Sequence, residues 1–420
     1  MRHPIIFLGV ALAGIMAVLA RFDVRQDTET VLALAAAASI TYLIAIGLVW
    51  RGRVPGRVGL VMCLALAVLC RVPLVPVEPT LSDDIYRYVW DGRIQAQGLN
   101  PYQVVPADPA YDAIHTDVTR KMNHPTMPTI YPPAAEWVFR GIAAIGQSVI
   151  VFKTTFVLLD LATMALLWRW LMAAGLSPWL VLVYAWNPLV MLEVAGSGHL
   201  DVIGALLLMV SFLAFSRRIG WLAAIALVAA IEVKFVPVVL APLFWKRIRV
   251  RDAAVAIGFG VLLAAPFAGG ALMLPIGALP TYLAKWRFNG PAYAWVESLV
   301  RTRALAALPL VAGLAVAVWF RRRGGERTMA AWAWPMGVAL LASPTVYPWY
   351  LLWLCPFLVG RAALPWLLWT QTSLLTYFVW RVSASGGGWR LPWWVLAAEF
   401  GLVLAAGVWV IAKRRPGEVN

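Results

Sequence analysis

The chain has 420 residues, of which 62% are hydrophobic and 13% are charged, and its net charge is +15. Because a soluble domain usually carries about 25% charged residues, this composition excludes an ordinary soluble globule and a disordered chain. The positive charge lies in short stretches between apolar runs, with no basic face interleaved with aromatic side chains, which argues against nucleic acid as a partner.

Apolar runs long enough to cross a bilayer recur along the chain, since a spanning helix needs about 20 apolar residues. Continuous runs cover approximately residues 4–20, 31–50, 58–76, 150–171, 178–195, 199–216, 253–274, 303–320, 362–380 and 391–412. The apolar stretches 219–246 and 328–360 are each interrupted by proline, and each predicts two further helices. The sequence therefore predicts an all-α polytopic membrane protein with about 12 to 14 transmembrane helices.

The basic stretches orient these helices, because loops that remain in the cytoplasm are enriched in Lys and Arg. They comprise Arg51, Arg53, Arg57, Arg217, Arg218, Lys246, Arg247, Arg249, Arg251, Arg321, Arg322, Arg323, Arg327, Lys413, Arg414 and Arg415. This places both termini in the cytoplasm and residues 77–133, which carry more acidic than basic side chains, outside. The helix predicted over 134–146 carries Glu136 and Arg140 on an otherwise apolar surface, so we expect it to lie along the outer membrane surface.

This organisation divides the chain into three parts. Residues 1–57 hold two N-terminal transmembrane helices, residues 58–360 a transmembrane core that includes the outer loop 77–149, and residues 361–420 the C-terminal helices and a short cytoplasmic tail. All cysteines lie in apolar runs, which predicts small buried side chains rather than disulfides: Cys63, Cys70 and Cys355. The histidines show no metal-ligand spacing: His3, His115, His124 and His199.

The first part of the outer loop predicts a helix that begins at the capping residue Ser82 and stops at Gly98. One face of this helix carries Asp84, Tyr88, Asp91 and Gln95. Acidic residues in a first helical turn stabilise the helix dipole, and the local sequence alone favours this structural role. A carboxylate at the membrane interface could instead act as a general base for a hydroxyl group presented beside a lipid headgroup.

The same stretch resembles the GT-C superfamily of glycosyltransferases, which are multispanning enzymes that use polyprenyl-phosphate sugars and carry an acidic motif in the first large outer loop. Residues 84–88, Asp-Ile-Tyr-Arg-Tyr, resemble the loop start of the lipid A aminoarabinose transferases. Residues 82–102 are more similar to GT87 and actinobacterial α-1,6-mannosyltransferases, which implies a GT-C-like fold. On that match Asp84 takes the position of the catalytic aspartate, and Asp83 stands beside it. Tyr131 precedes the two prolines at the loop exit, where the aminoarabinose transferases have a lysine.

Further matches lie downstream, so that the resemblance covers residues 58–360. They fall at residues 186–189, 193–201, 233–237 and 343–350. The resemblance implies these substrate-binding side chains: Arg87, Tyr88, Asp91, Arg93, Tyr131, His199, Asp201, Lys234, Tyr347 and Tyr350. Lys234 lies in an apolar stretch and should face a cavity or a partner, which could be a phosphate, Glu232 or Asp160.

Structural roles stay open for four of these side chains. His199 and Asp201 flank a predicted helix start, where they could form an interfacial histidine and a helix cap. Tyr347 and Tyr350 could pack against a sugar or belong to the aromatic belt at the membrane surface.

The resemblance implies a glycosyltransferase of the bacterial cytoplasmic membrane whose active site faces the extracytoplasmic side. It would move a sugar, with mannose favoured, from a polyprenyl-phosphate donor to a lipid or glycan acceptor, with inversion. Asp84 would be the general base, and Asp83 would orient the site or substitute as base. No cofactor is expected, because a phosphate leaving group already carries stable charge, and membrane lipids are the remaining partners.

Two other classes of function compete with this interpretation. A transporter or lipid flippase would use these buried charged residues for coupling: Asp160, Glu193, Glu232 and Lys234. A non-catalytic membrane scaffold would use the outer loop to bind a partner.

Overall fold

The computed structural model describes residues 3–269, 275–300 and 302–413. Within these ranges the protein is built from helices and turns, with no β-strand, and Phe288 and Thr345 form a parallel bridge. Cys63, Cys70 and Cys355 are buried and unpaired, as predicted. The predicted apolar run 253–274 ends in residues 270–274, and the basic residues Arg414 and Arg415 follow position 413, so these parts lie outside the described residues.

The α-helices of the described residues are α1 (Pro4–Leu19), α2 (Thr28–Trp50), α3 (Arg57–Arg71), α4 (Asp84–Ala96), α5 (Pro133–Ile145), α6 (Val149–Ala173), α7 (Leu182–Ala185), α8 (Pro188–Val190), α9 (Asp201–Ser216), α10 (Gly220–Ile231), α11 (Ala241–Phe244), α12 (Val250–Ala264), α13 (Leu279–Lys285), α14 (Pro291–Leu299), α15 (Leu308–Arg322), α16 (Met329–Leu341), α17 (Leu364–Thr372), α18 (Val379–Ala384) and α19 (Trp393–Lys413). A π-helical turn, Met191–Gly196, follows α8. Several 3₁₀ turns extend or join these helices, including Val72–Leu74, Val236–Leu240, Pro348–Trp353 and Ser373–Phe378.

Six helical segments of the described chain are long and apolar enough to cross a membrane. They are Thr28–Trp50, Arg57–Leu74, Val149–Ala173, Val250–Phe267, Arg303–Arg322 and Trp393–Lys413. A seventh forms if the pair Pro178–Ala185 and Pro188–Gly196, bent by 52°, is one broken span. Four shorter apolar helices of 10 to 17 residues add to these: α1, α9, α10 and α16. The all-α, multi-pass class predicted from the sequence is confirmed.

The long helices are fewer than the predicted spans because several apolar runs fold as short, broken pieces. After α10 the chain forms the 3₁₀ turn Val236–Leu240 and then the four-residue α11. After α16 it continues in the 3₁₀ turn Pro348–Trp353. Proline lacks the N–H group that an uninterrupted helix needs, and each of these pieces has a proline at its first or second position.

The basic stretches after α2, before α12 and before α16 lie on one face of the protein, linked through residues 359–362 and α16. At the end of α2, the Trp50 indole donates to the Val359 carbonyl at 3.1 Å. Arg247 pairs with Glu326 at 2.6 Å, which joins the segment before α12 to the segment before α16. At the other end of α2, Arg25 forms an ion pair with Asp83, at the start of the outer loop. The 23 residues of α2 therefore separate the basic face from the face that carries the outer loop.

A buried ion pair crosses the helices beneath the outer loop. Arg71 at the end of α3 pairs with Asp160 in the middle of α6, and both side chains are buried. The same guanidinium donates to the carbonyl groups of Ala67, at 2.7 Å, and Ala185, at 3.0 Å. A buried charge needs a partner and satisfied hydrogen bonds, and this pair therefore fixes α3, α6 and α7 relative to one another.

The outer loop is anchored where α4 crosses α5. A methyl group on Gly92 would lie 2.6 Å from the Phe139 carbonyl oxygen, so the two helices approach closely because residue 92 has no side chain. Glu136 on α5 is buried and accepts from the Gln95 amide at 2.8 Å and from the Thr129 hydroxyl at 2.7 Å. The helix predicted over 134–146 is present, and the crossing helix α4 covers its acidic side.

Candidate active site

Asp84 is the first residue of α4 and stands where the outer loop meets the helical core. The sequence places it there because the Ser82 hydroxyl accepts from the Asp84 N–H at 3.3 Å, in a turn that leads into the helix. Its Oδ1 atom accepts from the Asn123 amide at 3.0 Å. The side chain is 21% exposed, so a substrate could reach this carboxylate.

The electrostatic surroundings of Asp84 favour a carboxylate that binds protons more readily than usual. Burial raises the pKa of Asp84 to about 6, and the negative charges of Asp201 and Asp83 act in the same direction. The hydrogen bond from Asn123 and the positive charge of Lys234 lower this pKa in part. A pKa near the working pH suits a general base.

Asp83 has a different environment although it is adjacent in sequence. Its carboxylate pairs with Arg25, in the turn between α1 and α2. The guanidinium of Arg25 in turn lies over the Trp380 ring, 4.6 Å from its centroid. Asp83 therefore connects the N-terminal helices to the loop, whereas the described contacts of Asp84 are with the loop segment around Asn123 and with His199.

Lys234 supplies the positive charge of the site. Its ammonium group donates to Asp201 Oδ1 at 2.9 Å and lies 3.8 Å from the centroid of the Tyr350 ring. The same Asp201 oxygen accepts from the Trp353 indole at 2.6 Å. The partner of Lys234 is thus Asp201 and not Glu232 or Asp160, the two carboxylates suggested by the sequence. Lys234 is 20% exposed while Asp201 is fully buried, so the ammonium group faces the accessible side.

His199 lies between Asp84 and a third carboxylate, Glu193. Its Nδ1 atom is 3.9 Å from Asp84 Oδ2, and its Nε2 atom is 3.3 Å from Glu193 Oε2. Gly198, directly before the histidine, has φ +75°, a backbone conformation that favours glycine. A methyl group on this residue would lie 2.4 Å from the Ile85 side chain, so the chain can pass close to α4 here because residue 198 has no side chain. The imidazole stacks on Trp349 with the ring centroids 4.0 Å apart.

The stack of rings continues from His199 and Trp349 to the segment before α14. Tyr347 stacks on Trp349 at 4.5 Å, and Phe288 stacks on Tyr347 at 4.7 Å. The Tyr350 hydroxyl is hydrogen-bonded to that of Tyr282 on α13. Tyr347 and Tyr350 therefore join the loop around α13 and α14 to the core, and a sugar-binding role for them stays a prediction.

The remaining predicted substrate ligands lie along α4 and its supports. Arg87 pairs with Asp91 at 2.9 Å and donates to the Met127 carbonyl at 3.0 Å. Arg93 donates to the Ile114 carbonyl at 2.6 Å and to the Gln147 side chain. These contacts are all made within the outer loop and its flanks, so they hold the loop together, and substrate contact by these three residues stays a prediction.

Two tyrosines and a pair of carboxyl groups complete the support of α4. Tyr88 is buried, stacks on Phe139 at 4.7 Å and meets the edge of Tyr131 at 5.2 Å. Burial raises the pKa of Asp91 and, still more, that of Glu136, which also lies beside the Asp91 charge. Both carboxyl groups therefore bind a proton more readily than usual. Contact of Tyr88 or Tyr131 with a sugar likewise stays a prediction.

Sequence reasoning did not assign several residues to the site. Asn123 stands in a loop with no regular pattern, and Trp353 lies in an apolar run that resembles any membrane segment. Glu193 and Trp349 fall within the matched segments 193–201 and 343–350, but the sequence analysis assigned neither of them a role beside Asp84. Among the described residues, no group of three or more His, Cys, Asp or Glu side chains could hold a metal ion.

The fold and the site define a multi-pass membrane protein with an accessible carboxylate and an accessible ammonium group beneath a folded outer loop. The chain belongs to the family described as alpha-(1->6)-mannopyranosyltransferase, N-terminal domain, which matches residues 5–248. A relative named Alpha-(1->6)-mannopyranosyltransferase A, from Mycobacterium tuberculosis (strain ATCC 25618 / H37Rv), is 25% identical over 404 residues, which cover 84% of this chain and 75% of that protein. No solved structure matches the chain.

These comparisons confirm the resemblance to GT-C mannosyltransferases of the GT87 type that the loop motif indicated. Together with the apolar helices, they identify the protein as a membrane mannosyltransferase.

Proposed function

We propose that the protein moves a mannosyl group from a polyprenyl-phosphate donor to a hydroxyl group of a lipid or glycan acceptor on the extracytoplasmic side of the bacterial cytoplasmic membrane. The observation that carries this proposal is the partly exposed Asp84 carboxylate. The ammonium group of Lys234 lies close enough for its positive charge to lower the pKa of Asp84. The loop motif around Asp84 supports the polyprenyl-phosphate donor, because the families that it resembles use such donors.

Asp84 acts as the general base in this reaction. Its carboxylate removes the proton of the acceptor hydroxyl, and the oxygen attacks the anomeric carbon of the donor mannose. The bond between that carbon and the phosphate oxygen breaks, and its electron pair leaves with the polyprenyl phosphate. Attack on the face opposite the leaving group inverts the configuration at the anomeric carbon.

Lys234 stabilises the phosphate that departs. An ammonium group has three N–H donors, and the Asp201 carboxylate accepts one of them in the structure. The exposed side of the group then binds the phosphate oxygen on which negative charge develops. Stabilisation of charge that develops in the transition state is the type of contact that raises the rate of the chemical step.

Two further arguments support the type of bond formed between the sugars and the side of the membrane on which the active site opens. The name of the Mycobacterium relative specifies an α-(1→6) bond to mannose, and on this basis we propose the hydroxyl group on carbon 6 of an acceptor sugar. The basic stretches lie on the face opposite Asp84, and such stretches remain in the cytoplasm. The active site then opens to the extracytoplasmic side.

A comparison of donors tests this function. The purified protein in liposomes is supplied with an alkyl α-mannoside acceptor and one of three labelled donors: β-linked polyprenyl-phosphate mannose, β-linked polyprenyl-phosphate glucose or GDP-mannose. We expect transfer from polyprenyl-phosphate mannose and a product with an α-(1→6) bond by NMR. Equal transfer from GDP-mannose, or a product that retains the configuration of the donor, would contradict the proposal.

A further inference from the structure

We propose that Glu193 and His199 are positioning residues that hold the Asp84 carboxylate in its reactive orientation. In this arrangement Glu193 carries a proton and donates it in a hydrogen bond to Nε2 of His199, which leaves the proton of the ring on Nδ1, directed at Asp84. The catalytic part of this inference depends on the role proposed above for Asp84, whereas the protonation of His199 can be measured independently of any activity.

The imidazole of His199 lies between the carboxyl groups of Glu193 and Asp84, with one ring nitrogen near each. Glu193 Oε2 is 3.3 Å from Nε2 of the imidazole, and Asp84 Oδ2 is 3.9 Å from Nδ1. Glu193 and His199 are buried, with 0% and 1% exposure. The longer distance exceeds a hydrogen bond, and catalytic hydrogen bonds often tighten when the substrate complex forms.

Neither ring nitrogen of His199 makes a hydrogen bond to any other group of the described residues. Buried polar atoms in native proteins nearly always have a hydrogen-bond partner, so each of these two nitrogens calls for one. The unpaired Oε2 atom of Glu193 faces the same imidazole, so one proton between these two groups satisfies both.

The surroundings of Glu193 favour the form that carries a proton. Its other oxygen, Oε1, accepts from the Tyr377 hydroxyl. No Lys or Arg of the described chain lies within ion-pair distance of this buried carboxyl group, and an ionised carboxylate here would have no cation partner. With Oε1 occupied as an acceptor, the proton on Oε2 points toward His199.

The backbone and the rings fix the orientation of the imidazole. Trp349 covers one face, with the ring planes 10° apart, so rotation about the side-chain bonds would break the stack. Glu193 lies in the π-helical turn Met191–Gly196, and π-helical turns within helices are frequent at functional sites. Asn123 holds Asp84 Oδ1 from the loop side, so the two oxygens of this carboxylate are approached by different elements of the fold.

Matched variants at Glu193 test whether this side chain acts as a hydrogen-bond donor to His199 or only packs in the core. Glu193→Gln keeps an N–H donor for His199 and an oxygen for Tyr377, and we expect kcat within about threefold of wild type, since the hydrogen bond to His199 survives. Glu193→Leu removes both, and we expect kcat to fall about 10- to 100-fold with the donor KM unchanged. Equal activity of the two variants at the wild-type level would overturn the positioning role, and equal loss in both would overturn the protonated form of Glu193.

A second pair of variants at His199 separates hydrogen bonding from stacking. His199→Phe keeps the stack on Trp349 and loses both nitrogens, whereas His199→Asn keeps an N–H near the position of Nδ1 and loses the stack. We expect the Phe variant to be the slower one in kcat. If the Phe variant were active and the Asn variant inactive, the imidazole would serve only to pack against Trp349, and the inference would fail.

The tautomer of His199 can be measured by NMR without any assay of mannosyl transfer. The chain has four histidines, and the ¹⁵N resonances of His199 are assigned by their loss in the Phe variant. We expect a neutral ring protonated on Nδ1 at pH 7 in wild type. A ring protonated on Nε2, or on both nitrogens, would overturn the inference even if transfer from the polyprenyl donor had already failed.

Discussion

Asp84→Asn is expected to lower kcat for mannosyl transfer by about 10²- to 10⁴-fold, which is the usual contribution of a general base. The amide of asparagine cannot accept the proton of the acceptor hydroxyl, yet it has the same shape and still accepts from Asn123 through its oxygen. The donor KM should change little, because the ground-state contacts to the phosphate do not involve this side chain. Single-turnover kinetics with a labelled donor measures the effect on the chemical step.

The adjacent carboxylate provides the matched control. Asp83→Asn removes the same charge one residue away but affects the contact with Arg25 and the N-terminal helices. We expect transfer within a few-fold of wild type. Loss of activity in Asp83→Asn together with full activity in Asp84→Asn would assign the base to Asp83 and contradict the site as described.

Lys234→Met is expected to lower kcat/KM by about 10²- to 10³-fold, as removal of one group that stabilises transition-state charge typically does. Methionine keeps much of the apolar stem of lysine but has no charge to place on the phosphate oxygen. Part of any loss could arise from Asp201, which would remain buried without its cation. The single variant therefore measures the sum of two effects.

The double variant Lys234→Met with Asp201→Asn separates these effects. The asparagine removes the unpaired charge, while its oxygen can still accept from Trp353. If Lys234 binds the leaving phosphate, the double variant stays as slow as Lys234→Met. Recovery of wild-type turnover in the double variant would mean that the lysine serves only to neutralise Asp201.

Local sequence signals predicted the helix that carries the site. The predicted cap was one residue too early, because Asp83 occupies the N-cap position of α4 and the Ser82 hydroxyl accepts from the Asp84 N–H in the turn before it. The predicted stop is confirmed, since Gly98 lies just after the helix in the left-handed region at φ +78°. Capping and stop signals act within a few residues, so one sequence is enough to find them. The sequence also predicted that Asp84 would be accessible, because the residue comes soon after the apolar run 58–76, where the chain leaves the membrane.

Contacts between distant segments could not be predicted in the same way. Lys234 and Asp201 are 33 residues apart, and Arg71 and Asp160 are 89 residues apart. The sequence therefore offered several carboxylates as partners for Lys234 without a basis for choosing among them. The packing of helices decides which charges meet, and an apolar run carries little information about that packing.

The broken helices have a related cause. A run that is apolar on all sides has no 3.6-residue periodicity, so hydropathy cannot separate a long helix from a series of 3₁₀ turns and short helices. Residues 348–357 are such a case, since they form 3₁₀ turns that place Trp349 beside His199 and Trp353 beside Asp201. Irregular backbone at membrane depth is tolerated where it is buried in protein or lines a cavity.

The pH dependence of kcat/KM for transfer from polyprenyl-phosphate mannose tests the central role of Asp84 most directly. A base works only when it is deprotonated, and burial raises the pKa of Asp84 to about 6. The account predicts that kcat/KM falls tenfold per pH unit below about pH 6, is constant above about pH 7, and loses this acidic limb in Asp84→Asn. An acidic limb that remains unchanged in Asp84→Asn would contradict the account.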